Sequence, residues 1–90
     1  MNKDTRYETV KEMIEAKKVV EFRQIFKYIP KTVLARDLVK NTGRMTDLIN
    51  KAEKFSFEEL YEISQLVEVN YSVIVDLVAK QFLEGKDKSQ

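Results

Sequence analysis

Residues 31–60 read KTVLARDLVKNTGRMTDLINKAEKFSFEEL, and the apolar spacing in this stretch decides the fold. Leu34, Ala35 and Leu38 share one side of a short helix over 31–38, with Pro30 placed as its cap or first-turn residue. Met45, Leu48, Ile49 and Ala52 repeat at the helical period and predict a second helix over 42–50, with Asn41 or Thr42 as N-cap. At 100° per residue those four side chains centre on one side, and Lys40, Gly43, Arg44, Asp47, Asn50 and Lys51 cluster on the other. That outer side is polar and nearly free of bulk. Ser56 and Glu59 then have the spacing of a capping box, with Phe55 and Leu60 at the hydrophobic-staple positions. A third helix therefore starts at Phe57, buries Leu60, Ile63 and Val67, and ends near Glu68.

Working outward, Tyr7, Val10, Met13 and Ile14 give an amphipathic helix over 7–16, and Lys17–Val20 breaks its period (residues 17–20). Phe22, Ile25, Phe26 and Ile29 form a second stripe over 21–28, which Pro30 stops because the residue before a proline is pushed out of helical backbone space. Downstream, Asn70 caps a last helix that runs to about Leu83, with Gly85 as its terminator. Residues 1–6 and 86–90 are expected to fray. The expectation is six helices in one all-α domain, 1–90, with no repeat and no strand pair.

The last helix carries more apolar surface than one core face needs. Tyr71, Val75, Val78 and Phe82 form one stripe, and Ile74, Leu77 and Val78 an adjacent one. Either the spare stripe is a homodimer surface or the 7–16 helix covers it within one subunit.

With no Cys and no His in 90 residues, disulfides and thiolate or imidazole metal sites are excluded. No hydroxyl has a histidine to activate it, and no glycine-rich phosphate loop exists. Glu58 and Glu59, as neighbours on a helix, point about 100° apart and make no acid–base pair. We expect no enzyme, no cofactor and no small-molecule substrate. The N-terminus is polar and no long apolar run exists, so a soluble cytoplasmic protein without a membrane span is expected. Phe22, Phe26, Phe55, Phe57, Tyr61 and Tyr71 mostly fall on apolar stripes and are assigned to the core rather than to base stacking.

Net charge is +1, but it is unevenly spread. Residues 1–54 hold 13 Lys or Arg against 8 Asp or Glu, whereas residues 55–90 hold 3 against 7. This is either ordinary scatter or one cationic face turned to phosphate.

Residues 34–60 resemble the helix-turn-helix core of the Xre-type, phage-repressor-like family. Leu34-Ala35-Arg36-Asp37-Leu38 looks like that family's first motif helix, with Ala35 at the crossing point. Met45-Thr46 and Leu48-Ile49-Asn50 match its second-helix pattern, and Ser56, Glu58, Leu60 and Ile63 match the start of its fourth helix. Ile29-Pro30-Lys31-Thr32-Val33 is similar to a lead-in of small helix-turn-helix proteins of Bacteroidetes-type bacteria. The resemblance implies a lambda-repressor-like five-helix domain with one additional N-terminal helix and the motif at 31–50. It also implies a sequence-specific transcriptional regulator of double-stranded DNA. Thr42, Gly43, Arg44 and Asp47 match base-contacting positions of that family, and Lys31 and Asn50 match phosphate-holding ones. Lys40, Lys51 and Lys54 add charge nearby. Arg44 is the first choice for base readout, because a guanidinium pairs bidentately with guanine.

Three residues depart from the pattern. Val39 and Lys51 stand where the family has glycines, and Asp47 places a carboxylate at the groove. Asp47 either accepts from cytosine N4, orients Arg44 or Lys51, or is simply solvated. Gly43 either permits close backbone approach to DNA or is merely tolerated at an early helical position. The alternative reading is a protein-interaction module or antitoxin-like adaptor on the same fold, with weak or no DNA binding and the acidic 55–90 part as its working surface.

Overall fold

The computed structural model describes residues 4–38 and 41–88, apart from the side chains at 42, 87 and 88. All regular structure among these residues is helical. In order come α1 (Arg6–Glu15), a 3-10 helix (Phe22–Lys27), α2 (Lys31–Asp37), α3 (Thr42–Asn50), a one-turn 3-10 helix (Ala52–Lys54), α4 (Phe57–Val67) and α5 (Tyr71–Lys88). Val39 and Lys40, between α2 and α3, lie outside the described residues.

Each helix contributes to one apolar cluster. Val10, Phe22, Leu34, Met45, Ala52, Ile63 and Ile74 are completely buried, one from each element in turn. Burying a side chain of the size of Ile or Phe contributes about 1.5–3 kcal/mol. α2 packs on α3, α4 on α5, and α1 on α4, while α5 also lies against both 3-10 helices. Tyr7 anchors α1 at its start, its hydroxyl donating to Asp37 Oδ2 at the end of α2 over 2.7 Å. Burial first, and then the facing Asp37 carboxylate, push the Tyr7 phenol well above its ordinary value.

The helix ends follow local rules. Ser56 Oγ accepts from the Glu59 backbone N–H at 3.1 Å, and Glu59 Oε1 accepts from the Ser56 N–H at 2.8 Å, closing the expected capping box. Phe55 and Leu60 are buried beside it. α1 ends in a Schellman turn. Lys17 adopts φ 63°, its N–H donates to Ile14 O, and the Lys18 N–H reaches Met13 O.

Several boundaries differ from the sequence-based expectation. The 21–28 segment is not an α-helix. Phe22–Lys27 form a six-residue 3-10 helix, in which positions three apart eclipse. This aligns Phe22 with Ile25, both buried, and leaves Phe26 half-buried. Gln24 Oε1 folds back to accept from the Val20 and Glu21 N–H groups at 2.7 and 3.1 Å, pinning the start, and Pro30 closes off the other end.

Of the terminal segments expected to fray, residues 1–3 and 89–90 lie outside the described residues, and residues 4–6 and 86–88 are continuous with α1 and α5. Asp4 accepts the Arg6 backbone N–H at 2.9 Å and both arms of its guanidinium fork at 2.9 and 2.7 Å, so Asp4 and Thr5 lead directly into α1 at Arg6. The Arg6 hydrogen bonds hold the Asp4 carboxyl well below the usual carboxylate range. α5 continues past Gly85 to Lys88. Gly85 has no positive φ and stands in open space, so it weakens the helix without ending it. The next turn is supported by Lys86, whose Nζ lies 5.4 Å from the centre of the Phe82 ring.

No helix among the described residues is long and apolar enough to cross a membrane.

Candidate nucleic-acid interface

The candidate interface is built on α2 and α3. The sequence supplies α3 with a start and two faces. Asn41 is the N-cap, and its Oδ1 accepts from the Arg44 N–H at 2.6 Å. Met45 and Leu48 then point inward with 0% and 1% exposure, as expected, and Ile49 is half-buried. Ala35 on α2 is buried to 2% exposure, which allows α2 and α3 to approach closely. Because the underside of α3 is sealed, Gly43, Arg44, Asp47 and Asn50 are all exposed on its outer side. Thr42 opens the helix, but its side chain lies outside the described residues, as does Lys40.

The expected phosphate residues fall into two groups. Lys31 and Asn50 converge on one residue of α3. Lys31 Nζ donates to Thr46 Oγ1 at 2.8 Å, and Asn50 Nδ2 donates to the Thr46 carbonyl at 3.3 Å. Thr46 was legible as a pattern position but not as the point where the two helices are cross-linked. Lys51 and Lys54 are exposed just beyond the helix end and make no such link. Lys51 closes α3 at φ −132°, ψ 66°. Its φ is negative, so this turn does not take the left-handed backbone that would favour the glycine of the resembled family.

Asp47 does not orient its neighbours. Among the described residues no ion pair joins it to Arg44 or Lys51, which leaves a solvated carboxylate in the middle of the outer side. Gly43 is not imposed by the fold either. A Cβ there would meet only Asn41 Oδ1 at 3.5 Å, an ordinary contact, and its φ is not positive.

A buried amide supports the site from behind, unforeseen in the sequence. Gln81 on α5 is 3% exposed. Its Oε1 accepts from the Arg23 N–H at 2.7 Å and its Nε2 donates to the Ile49 carbonyl at 2.8 Å. One side chain thus fixes the first 3-10 helix and the last turn of α3 to the same helix. The only advance signal was its position four residues after Leu77 and seven after Ile74 on one stripe.

Two further expectations are corrected. Val78, read on both stripes and named with the dimer candidates, is core at 7% exposure, because α5 turns Ile74, Leu77, Val78 and Gln81 inward together. Tyr71 and Val75 are left half-buried and Phe82 exposed, a broken strip rather than a continuous one. α1 packs on α4, and its end at Ile14, with Val19 and Val20 after it, borders a cleft shared with Val73 and Leu77 of α5. Of the aromatics assigned to the core, Phe22 and Phe55 are buried and stack edge to face at 5.4 Å, but Phe57 and Tyr61 are 79% and 55% exposed. The buried arc of α4 centres between Leu60 and Val67, and helical geometry sets Phe57 about 70° and Tyr61 about 110° away from it.

Comparison of the chain with protein-family models, with curated proteins and with solved structures gives no match.

Proposed function

We propose that this chain is a sequence-specific DNA-binding transcriptional regulator, a non-enzymatic cytoplasmic protein of the Xre-type on a lambda-repressor-like five-helix arrangement to which α1 is added. In this reading α2 lies over the phosphate backbone and α3 enters the major groove. Arg44 and Thr42 read base edges, Gly43 lets the backbone approach, and Asp47 accepts from a cytosine amino group. Lys31, Lys40, Asn50, Lys51 and Lys54 hold phosphates and set the register. Two copies would place their α3 helices on half-sites about 34 Å apart, one turn of duplex.

The observation that carries this reading is the side-chain partition of α3. Met45 and Leu48 are sealed against the core, while Gly43, Arg44, Asp47 and Asn50 form an exposed, slender row on the other side. A helix of that cross-section, supported from behind by Gln81, fits a major groove about 12 Å wide. The test is unbiased selection of duplex sites on the purified protein, followed by affinity measurements with Arg44→Ala at two salt concentrations. The expected result is a selected site whose preference relaxes in the variant at a cost of about 1–3 kcal/mol. Unchanged affinity and preference would remove Arg44 from the assignment, and no selected site at low salt would remove the reading itself.

One observation favours the second reading, a protein-interaction module or antitoxin-like adaptor. The Asp47 carboxylate stands solvated on the surface that would meet phosphate. Co-purification of a protein partner from native extract, together with no duplex binding at low salt, would decide for it.

A further inference from the structure

The outer face of α4 has a composition that neither the core nor the proposed DNA contact explains. Phe57 is 79% exposed and Tyr61 55%. They lie one turn apart, and Tyr71 at the start of α5 stands beside them, its ring 6.3 Å from that of Tyr61. These three rings and the carboxylates of Glu58 and Glu62 line a shallow groove of about 360 Å³. A second groove of about 320 Å³ continues from Tyr61 and Glu62 toward Asp37. Among the described residues no Lys or Arg lines either one. Glu59 is used by the capping box, but among the described residues Glu58 and Glu62 form no ion pair.

We propose that this face docks a short cationic segment of a partner protein, in which Arg or Lys alternates with aliphatic residues. Charge complementarity selects this occupant. Nucleic acid is repelled by the carboxylates that rim the rings. A second copy docked by this same face would bring its own Glu58 and Glu62 into the interface, four carboxylates with no cation from either lining to offset them. A cationic segment instead stacks its guanidinium or ammonium groups on the faces of Tyr61 and Phe57 and pairs them with Glu58 and Glu62, while its aliphatic side chains cover the ring edges. From Phe57 to Gln65 the face is about 12 Å long, room for roughly four extended residues. The inference is independent of the DNA reading, since it uses no residue of α2 or α3 assigned to base or phosphate contact.

The experiment uses the full chain and a fluorescein-labelled peptide alternating arginine with leucine, read by anisotropy, beside a counterpart with glutamate in place of arginine. The arginine peptide is expected to bind saturably and the glutamate peptide not at all. Phe57→Ser and, separately, Glu58→Gln with Glu62→Gln are each expected to weaken binding about tenfold, more than most interface truncations do. Because Phe57 lies outside the core, Phe57→Ser is expected to keep the parent's melting temperature, which separates loss of the face from loss of the fold. Equal affinity for the two peptides, or unchanged affinity in both variants, overturns the proposal. So does a parent protein that sediments as a dimer which Phe57→Ser dissolves, or a duplex oligonucleotide whose binding is lost with Phe57→Ser.

Discussion

Gln81 Nε2 donates to the Ile49 carbonyl over 2.8 Å, from the middle of α5 to the last turn of α3, within a side chain that is only 3% exposed. The same amide accepts from Arg23 N–H, so a single residue satisfies two main-chain groups from different helices. Replacing it by a shape-matched apolar residue leaves a donor and an acceptor without partners, each costing about 1–3 kcal/mol where water cannot reach. Gln81→Leu is therefore expected to lower stability by about 2 kcal/mol or more in urea titrations. If DNA binding is retained, it is also expected to weaken as the end of α3 loosens. An unfolding midpoint equal to the parent's would show that these groups find water instead.

The Tyr7–Asp37 contact makes a prediction about alkaline pH. The Tyr7 phenol is raised above its ordinary value near 10 by burial and then by the Asp37 carboxylate. A raised value means that the folded state favours the protonated form. The contribution is complete below the unfolded-state value and is lost as pH rises through and beyond it. Stability should fall above about pH 10 more steeply in the parent than in Tyr7→Phe. At neutral pH the variant should be the less stable of the two by about 1–2 kcal/mol, as expected for a part-buried hydrogen bond to a charged group. The check is guanidinium unfolding at several pH values, with the phenolate absorbance of the two proteins subtracted to isolate Tyr7.

Lys17 occupies a left-handed conformation at φ 63°, where an L side chain is disfavoured by about 1–2 kcal/mol. Lys17→Gly removes that strain but adds freedom to the unfolded chain, so a net gain of about 0.5–1 kcal/mol is expected. A rise in melting temperature is the readout.

Gly43 separates the needs of the fold from those of a ligand. A Cβ there meets only Asn41 Oδ1 at 3.5 Å. Gly43→Ala should therefore stabilise the protein by up to about 1 kcal/mol through helix propensity. On the proposed DNA reading the same change weakens duplex binding, because the added methyl holds the backbone away from the groove. Calorimetric melting and a duplex titration on one variant test both halves.

The capping box gives the complementary loss. Ser56→Ala removes the acceptor of the Glu59 N–H at the start of α4 and should cost about 1 kcal/mol in denaturant titrations.

What was legible in the sequence was governed by near neighbours. Ser56 and Glu59 find each other three residues apart whatever the rest of the chain does, and Met45 and Leu48 mark the inner side of α3 by period alone. What was not legible depended on which element lies opposite. Gln81 reads as a polar interruption until Arg23 and Ile49, 58 and 32 residues away, are brought to it. Gly85 reads as a stop, yet a glycine ends a helix only when the backbone takes the left-handed conformation, and here Lys86 over Phe82 supports the next turn. Phe57 and Tyr61 read as core as part of a set of aromatics, most of which fall on apolar stripes. A count of angle around α4 from Leu60 and Val67 places them off the buried arc.

The link from Lys31 to Thr46 bears on how an anion would be received. A free lysine has roughly 2 kcal/mol of rotamer entropy to surrender when it is immobilised. Lys31 has already given up part of it, its four-carbon stem held by the Thr46 hydroxyl. An ammonium carries three N–H donors and this bond uses one. An incoming phosphate would therefore meet a preorganised cation with donors to spare, and it would join the hydrogen bond that ties α2 to α3 rather than displace it.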